Sequence, residues 1–272
     1  MNSAAAEPLT PQELPAIDRK YIDRWSRTLF HFLEKHYWRI EVKGLDQIPL
    51  TGPAILVGTH RGFVPWDAIM TLHLIVRHTG RVPRFLCHPG LLKFGPIRKF
   101  VTGLGGVPAC RENADRVLSA GEIAGILPEG VEGAFSLYRD AYKLRGFGRD
   151  DFVKLSLRHR VPIVPFVVVG SAEAVPMLAR IKWRWWTRRL DWPYLPISTF
   201  PWLPVPLPSK WHIQFLSAIH AYENHSPEAA RDYKVVKRIS LSVRISMQHA
   251  LDEILHRRRS IFYGSVFDST DP

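Results

Sequence analysis

Cysteine is scarce in this chain: two residues, Cys87 and Cys110, in 272. Two isolated cysteines make neither a disulfide framework nor a zinc pattern, and they suit a reducing cytosol. Long apolar runs are missing as well. No uncharged stretch approaches the roughly 20 residues a spanning helix needs, so an integral membrane protein is not expected. The opening M-N-S-A-A-A-E-P-L-T-P has neither a basic leader nor an apolar core, and no signal peptide is read there. G-x-S-x-G is absent, which leaves a serine esterase without its nucleophile elbow. His60, His73, His78 and His88 show no H-E-x-x-H or paired spacing, so no metal site is expected. Acidic residues are few: 25 Asp and Glu against 37 Lys and Arg give +12 and a pI near 10.0.

What is present is an apolar content of 46% and 11% aromatic residues, enough for one large domain with a substantial core. The basic excess calls for a polyanionic partner, either nucleic acid or an anionic lipid surface. Nine tryptophans favour lipid, because tryptophan and arginine together suit the headgroup layer. Stacking on single-stranded nucleic acid uses similar residues. A basic, non-catalytic membrane- or nucleic-acid-binding module is therefore the alternative to an enzyme.

Along the chain, residues 1–16 read as a flexible N-terminus, 17–258 as the folded domain and 259–272 as a tail. Ile17, Tyr21, Trp25, Leu29 and Leu33 recur every four positions and predict an amphipathic helix over Ile17 to Tyr37, packed on the domain. Strands are predicted from Trp38 to Val42, Ala54 to Val57, Pro83 to His88, a short one from Gly105 that ends on Arg111, Gly125 to Pro128, Pro162 to Val169 and Trp211 to Ile219. Helices alternate with them at about 65–78, 91–101, 114–120 and 152–159. A long final helix starts at Ser226-Pro227-Glu228, with Val235, Ile239, Val243, Met247, Leu251 and Ile254 as its core stripe; His256 to Arg259 read as its solvated end. This alternation predicts an α/β fold, a single domain with a mixed, largely parallel sheet flanked by helices. The stretch 180–211 is different. Arg180, Lys182, Arg184, Arg188 and Arg189 interleave with Trp183, Trp185, Trp186 and Trp192, and prolines follow densely. It reads as an irregular excursion lying on an anionic membrane surface.

The stretch A-I-L-V-G-T-H-R-G-F-V-P-W-D from Ala54 carries the chemistry. The strand ends at Gly58 and Thr59, His60 follows, and Asp67 lies just inside a helix that Pro65 can begin. Strand ends are where open α/β sheets place chemistry. A histidine there can accept a proton near neutral pH, and a carboxylate behind it can fix its tautomer.

Four stretches now stand in order: G-T-H-R-G-F-V-P-W-D, G-G-V-P-A-C-R-E-N, I-L-P-E-G and V-P-I-V-P-F-V-V-V-G. This order resembles the glycerolipid (lysophospholipid) acyltransferase superfamily, most closely its monoacylglycerol/diacylglycerol-acyltransferase-like branch, over about residues 40 to 220. The resemblance implies a glycerol-3-phosphate-acyltransferase-like fold, with His60 as general base and Asp67 as its partner. It implies acceptor- or substrate-binding roles for Arg61, Arg111, Pro128, Glu129 and Gly130. It implies an acyl thioester donor, acyl-CoA or acyl-ACP, a lipid acceptor, no cofactor, and attachment to the cytoplasmic face of a membrane; nucleic acid is then not a partner. Two departures stand out. Six residues separate His60 from Asp67 where the superfamily commonly has four, and Glu132 follows Val131 where many members carry an arginine. Without that cation the chain is the poorer binder of a phosphorylated acceptor. The thioester oxyanion is expected to find backbone N–H donors near Gly58 to Gly62 or Gly130.

Overall fold

The computed structural model describes residues 14–62, 64–147, 149–185, 188, 194–199 and 205–267. Its sheet has seven strands: β1 (Glu41–Lys43), β2 (Ala54–Gly58), β3 (Arg84–Cys87), β4 (Val107–Pro108), β5 (Ile123–Ile126), β6 (Ile163–Val169) and β9 (His212–Phe215), in the order β1-β9-β6-β2-β5-β3-β4. The run from β6 through β4 is parallel throughout. β9 enters antiparallel to β6, and β1 pairs parallel to β9. The predicted mixed, largely parallel sheet is what forms.

All residues of β2 and β6 are buried, as central parallel strands require. Alternate side chains feed opposite faces. Ile55, Val57, Ile163 and Val167 pack with α4 (Arg111–Ser119), α6 (Asp151–His159) and the C-terminal α8 (Tyr233–Arg257), whereas Leu56, Val164 and Phe166 pack with the N-terminal helix and α2 (Trp66–Thr79). α2 stops at Gly80, whose φ of 69° is the left-handed conformation glycine adopts without strain.

Five sequence expectations are revised. The N-terminal helix begins as α1 (Arg19–Trp25) but continues through two π-helical segments, Ser26–Phe30 and Leu33–Tyr37. Wider turns rotate the inward face, so Phe30 is fully buried and Leu29, on the every-fourth stripe, is exposed. The π segments bring Ser26 and Glu34 to opposite nitrogens of the buried His73, each at 2.9 Å. This Ser–His–Glu set is a buried tie between helices, and the amide of Ser26 is already bonded to the Ile22 and Asp23 carbonyls.

α8 starts later than expected, at Tyr233, because a 3₁₀ turn over Pro227–Arg231 precedes it and Asp232 caps it through the amides of Lys234 and Val235. Its basic end is not wholly solvated. Arg258 turns inward and pairs with the buried Glu173 at 2.5 Å. The tail is docked as far as it is described, with Ser265 donating to Glu41 at 3.0 Å and Val266 buried.

The proline-rich excursion is partly regular. β7 (Met177–Ile181) and β8 (Leu195–Ser198) form a two-stranded antiparallel hairpin, in which Pro196 is tolerated because, among the described residues, no further strand pairs with β8. Trp186, Arg189 and Trp192 lie outside the described residues.

Candidate active site

The site gathers at the end of the sheet where β2, β5 and β6 all finish. β2 ends against β6 so closely that a Cβ on Gly58 would fall 2.0 Å from the Phe166 ring. Thr59 extends this register, its hydroxyl accepting the amide of Val168 at 3.0 Å. His60 leaves the strand there, and Asp67 comes back to it from the first turn of α2. Asp67 Oδ2 lies 3.0 Å from His60 Nδ1 and accepts the amide of Arg61 at 2.8 Å; Oδ1 accepts the amide of Ala68 at 2.8 Å. The carboxylate is 1% exposed and sits at a helix N-terminus, where its negative charge is favoured. With Nδ1 donating to Asp67, Nε2 is the nitrogen that can accept a proton. The structure brings together the two residues paired on the sequence.

Arg61 and Glu129 form an ion pair beside His60. Both side chains are 2% exposed, and they face each other. Arg61 Nη1 lies 2.5 Å from Glu129 Oε2, and Nη2 lies 3.2 Å from Oε1. Arg61 also donates to the carbonyls of His60, at 2.6 Å, and Ala141. A guanidinium with its fork filled by a carboxylate spends its charge within the protein. The pair ties the P-E-G turn to the backbone of His60.

The turn itself is built for that approach. Pro128 and Glu129 are buried, and Gly130 is exposed with φ 53°. Gly130 opens the short helix α5 (Gly130–Ala134), and Gly133 within it is a determinant the sequence did not reveal. A Cβ on Gly133 would meet Glu129 Cβ at 2.7 Å and the His60 carbonyl oxygen at 3.0 Å. Only through-space packing exposes that need.

Arg111 does not join the cluster. It is the first residue of α4, after the edge strand β4, and two strands, β5 and β3, lie between β2 and β4, which sets them about 14 Å apart at the usual strand spacing. Its guanidinium is 70% exposed and lies 3.7 Å from Asp115. Glu132, the acidic departure from the common pattern, pairs with Arg180 at 3.1 Å and accepts from Tyr194 at 3.2 Å, while Arg180 stacks over the Tyr194 ring at 4.4 Å. Arg180 thus fastens the hairpin to α5 and is not a free surface cation. Lys182, Trp183, Arg184, Trp185 and Arg188 are exposed.

Comparison with known proteins agrees with this arrangement. The family model described as Acyltransferase matches residues 39–169, a span holding His60, Asp67, Arg111 and the P-E-G turn. An uncharacterized protein of Mycobacterium tuberculosis is 35% identical over 247 residues, covering 88% of this chain and 68% of its own length, so the chain spans about two thirds of that relative. A human protein named as a DGAT1/2-independent enzyme synthesizing storage lipids is 25% identical over 158 residues, 58% of this chain and 48% of its own. Among solved structures, the 1-acyl-sn-glycerophosphate (LPA) acyltransferase PlsC of Thermotoga maritima shares the fold, with a TM-score of 0.55 and 19% identity over 86% of this chain and 79% of its own. Motif order, fold and sequence relatives converge, and the chain belongs to the Acyltransferase family.

Proposed function

We propose that the protein moves a fatty acyl group from an acyl thioester, acyl-CoA or acyl-ACP, to the hydroxyl of a glycerolipid. The observation that carries this reading is the His60–Asp67 pair, with Nδ1 held by a buried carboxylate at 3.0 Å and Nε2 turned away from it. A thioester is already activated, so no covalent nucleophile is needed. His60 Nε2 takes the proton as the acceptor oxygen attacks the thioester carbon, and Asp67 stabilises the imidazolium. The carbon–sulfur bond then breaks, and the thiolate leaves with a proton returned from the ring. General-base assistance of this kind is worth roughly 10² to 10⁴ in rate. Of the amides expected to face the oxyanion, those of Thr59, Arg61 and Gly130 are already bonded within the protein. The amides of His60 and Gly62 are the donors we assign.

For the acceptor we favour an uncharged mono- or diacylglycerol-type lipid over lysophosphatidate. Glu132 occupies the place of a common cation and spends its charge on Arg180. Arg111 lies outside the cluster, and its neighbour Asp115 weakens it as a phosphate ligand. The human relative, named for storage-lipid synthesis, points the same way. We place the protein on the cytoplasmic face of an anionic membrane through the outer hairpin, where Leu178, Ile181, Trp183 and Trp185 are exposed beside Lys182 and Arg184.

His60→Ala should abolish acyl transfer while leaving the melting temperature unchanged; turnover comparable to wild type would overturn the assignment. The acceptor is settled by kcat/KM for diacylglycerol and lysophosphatidate in wild type and Arg111→Ala. A strong wild-type preference for lysophosphatidate, removed by that single change, refutes the neutral-lipid reading.

A further inference from the structure

No residue of helix α3 (Gly95–Gly103) is fully buried: its inner side packs through Phe100, half-buried against the core, and through Val101, which lies against Gly106, and the rest of the helix faces outward. Phe100 meets Trp25 edge-on at 5.2 Å, and Tyr21 lies over Gly103, where a Cβ would come within 2.7 Å of the ring. These contacts set α3 antiparallel to the N-terminal helix. Outward, α3 presents Ile97, 39% exposed, beside the exposed Arg98 and Lys99. The N-terminal helix adds Leu29 and Phe32, the latter 50% exposed.

The position of this face matters. β3 runs parallel to β2 by way of β5 and finishes at the same end of the sheet as His60. α3 starts just beyond that end, so its first turn, with Ile97 and Arg98, lies on the active-site side of the molecule. The N-terminal helix reaches the same side: Tyr37 donates to the Pro206 carbonyl at 2.5 Å, and Trp38 packs on Trp66 at the start of α2. The β7–β8 hairpin leaves from this side too, after β6. Two separate elements therefore flank the His60 end with exposed apolar side chains and cations together.

We propose that the outer face of α3, with Leu29 and Phe32 beside it, is a second lipid-contact surface shaped for an anionic bilayer, which acts with the hairpin to seat the His60 opening on the membrane. The inference rests on the lipid acyl-transfer reading. One contact lets a protein pivot on a bilayer; two separate contacts at the same end of the molecule fix its orientation. A water-insoluble acceptor then passes sideways from the bilayer to His60 Nε2 without crossing water. Arg98 and Lys99 supply attraction to anionic headgroups, and Ile97, Leu29 and Phe32 supply the apolar area that enters the headgroup layer.

The test uses the full chain and phosphatidylcholine vesicles with and without phosphatidylglycerol. Ile97→Glu/Arg98→Glu/Lys99→Glu should lower co-sedimentation with the anionic vesicles by roughly 10- to 30-fold, and the milder Arg98→Gln/Lys99→Gln by less, with melting temperatures unchanged. Transfer to diacylglycerol embedded in those vesicles should fall in parallel. Transfer to a short-chain acceptor dissolved as monomers should stay at the wild-type rate. Undiminished vesicle binding in both folded variants overturns the proposal, as does equal wild-type binding to vesicles of phosphatidylcholine alone. Binding is read without turnover, so a wild type that binds but transfers to neither acceptor refutes the acyl-transfer reading and leaves the surface standing.

Discussion

Substituting Gly133 by alanine probes the site without touching any group that does chemistry. The added Cβ would stand 2.7 Å from Glu129 Cβ and 3.0 Å from the His60 carbonyl oxygen. Carbon atoms rest at about 3.5 to 4.0 Å, so the backbone of α5 or of the His60 loop must yield by about 1 Å. Neither neighbour is the far end of a flexible side chain. Overpacking of this size costs about 1 to 3 kcal/mol, a loss of roughly 2 to 10 °C in melting temperature for a chain of this size. The larger effect should be kinetic. Any shift that relieves the clash stretches the Arg61–Glu129 pair or moves the carbonyl of His60 itself, and about 1 Å of misplacement can cost on the order of 10² in rate. Gly130→Ala is the contrast. There nothing lies within 4 Å, but φ is 53°, so the substitution should cost about 1 to 2 kcal/mol of stability with little change in kcat. The assay is kcat with an acyl thioester and a monomeric acceptor, beside thermal melting. Full activity and an unchanged melting temperature in Gly133→Ala would show that the P-E-G turn does not position His60.

Asp67→Asn keeps the size of the side chain but replaces the carboxylate that accepts from His60 Nδ1 and two amides; an Asn amide facing Nδ1 moves the ring proton to Nε2 and removes the base. The loss should approach the full 10² to 10⁴ expected for general-base assistance, read as kcat, with KM little changed. Stability should fall with acid in two stages. Burial pushes the pKa of His212 down to about 4, with Arg258 and Lys210 adding to the effect against the pull of Glu41, so the unfolded chain binds a proton there that the folded one refuses. That contribution, up to about 3 kcal/mol, is complete above pH 6.5 and lost as pH drops toward 4. Burial opposes ionisation of Glu34, but the hydrogen bond from His73 and the charges of Lys35 and Arg77 outweigh it and hold its pKa at about 2, so its share is lost between about pH 4.5 and 2. A melting temperature flat from pH 7 to 4.5 would contradict the first stage, and His212→Gln should flatten it.

What could be read from the sequence was local in the chain. The strand ending at Gly58, the helix opening behind Pro65 and the fully apolar run of β6 are each written in consecutive residues, and so was the pairing of His60 with Asp67. What escaped was set through space. Nothing in H-R or P-E-G says that Arg61 and Glu129 will neutralise each other, because 68 residues separate them. Arg258 read as solvated because its three basic neighbours are; Glu173 on another element draws it in. Arg111 read as a strand end because β4 is only two residues long, and Cys110 already serves as the N-cap of α4. The π segments broke a four-residue periodicity that no single residue contradicted.

The placement of β9 governs when this protein can exist during its synthesis. β1 has one strand partner, and Glu41 pairs with His212. The first strand to leave the ribosome must therefore wait for about 170 further residues before its ladder can close, some 8 to 35 s at ordinary translation rates. Trp38 waits with it, since its stacking partner at 4.3 Å is Trp211. Until then a growing chain can assemble the parallel strands around His60 but leaves the buried edge of β6 without its partner. A message cut short before codon 215 would release a nascent domain with His60 and Asp67 made and β6 still bare.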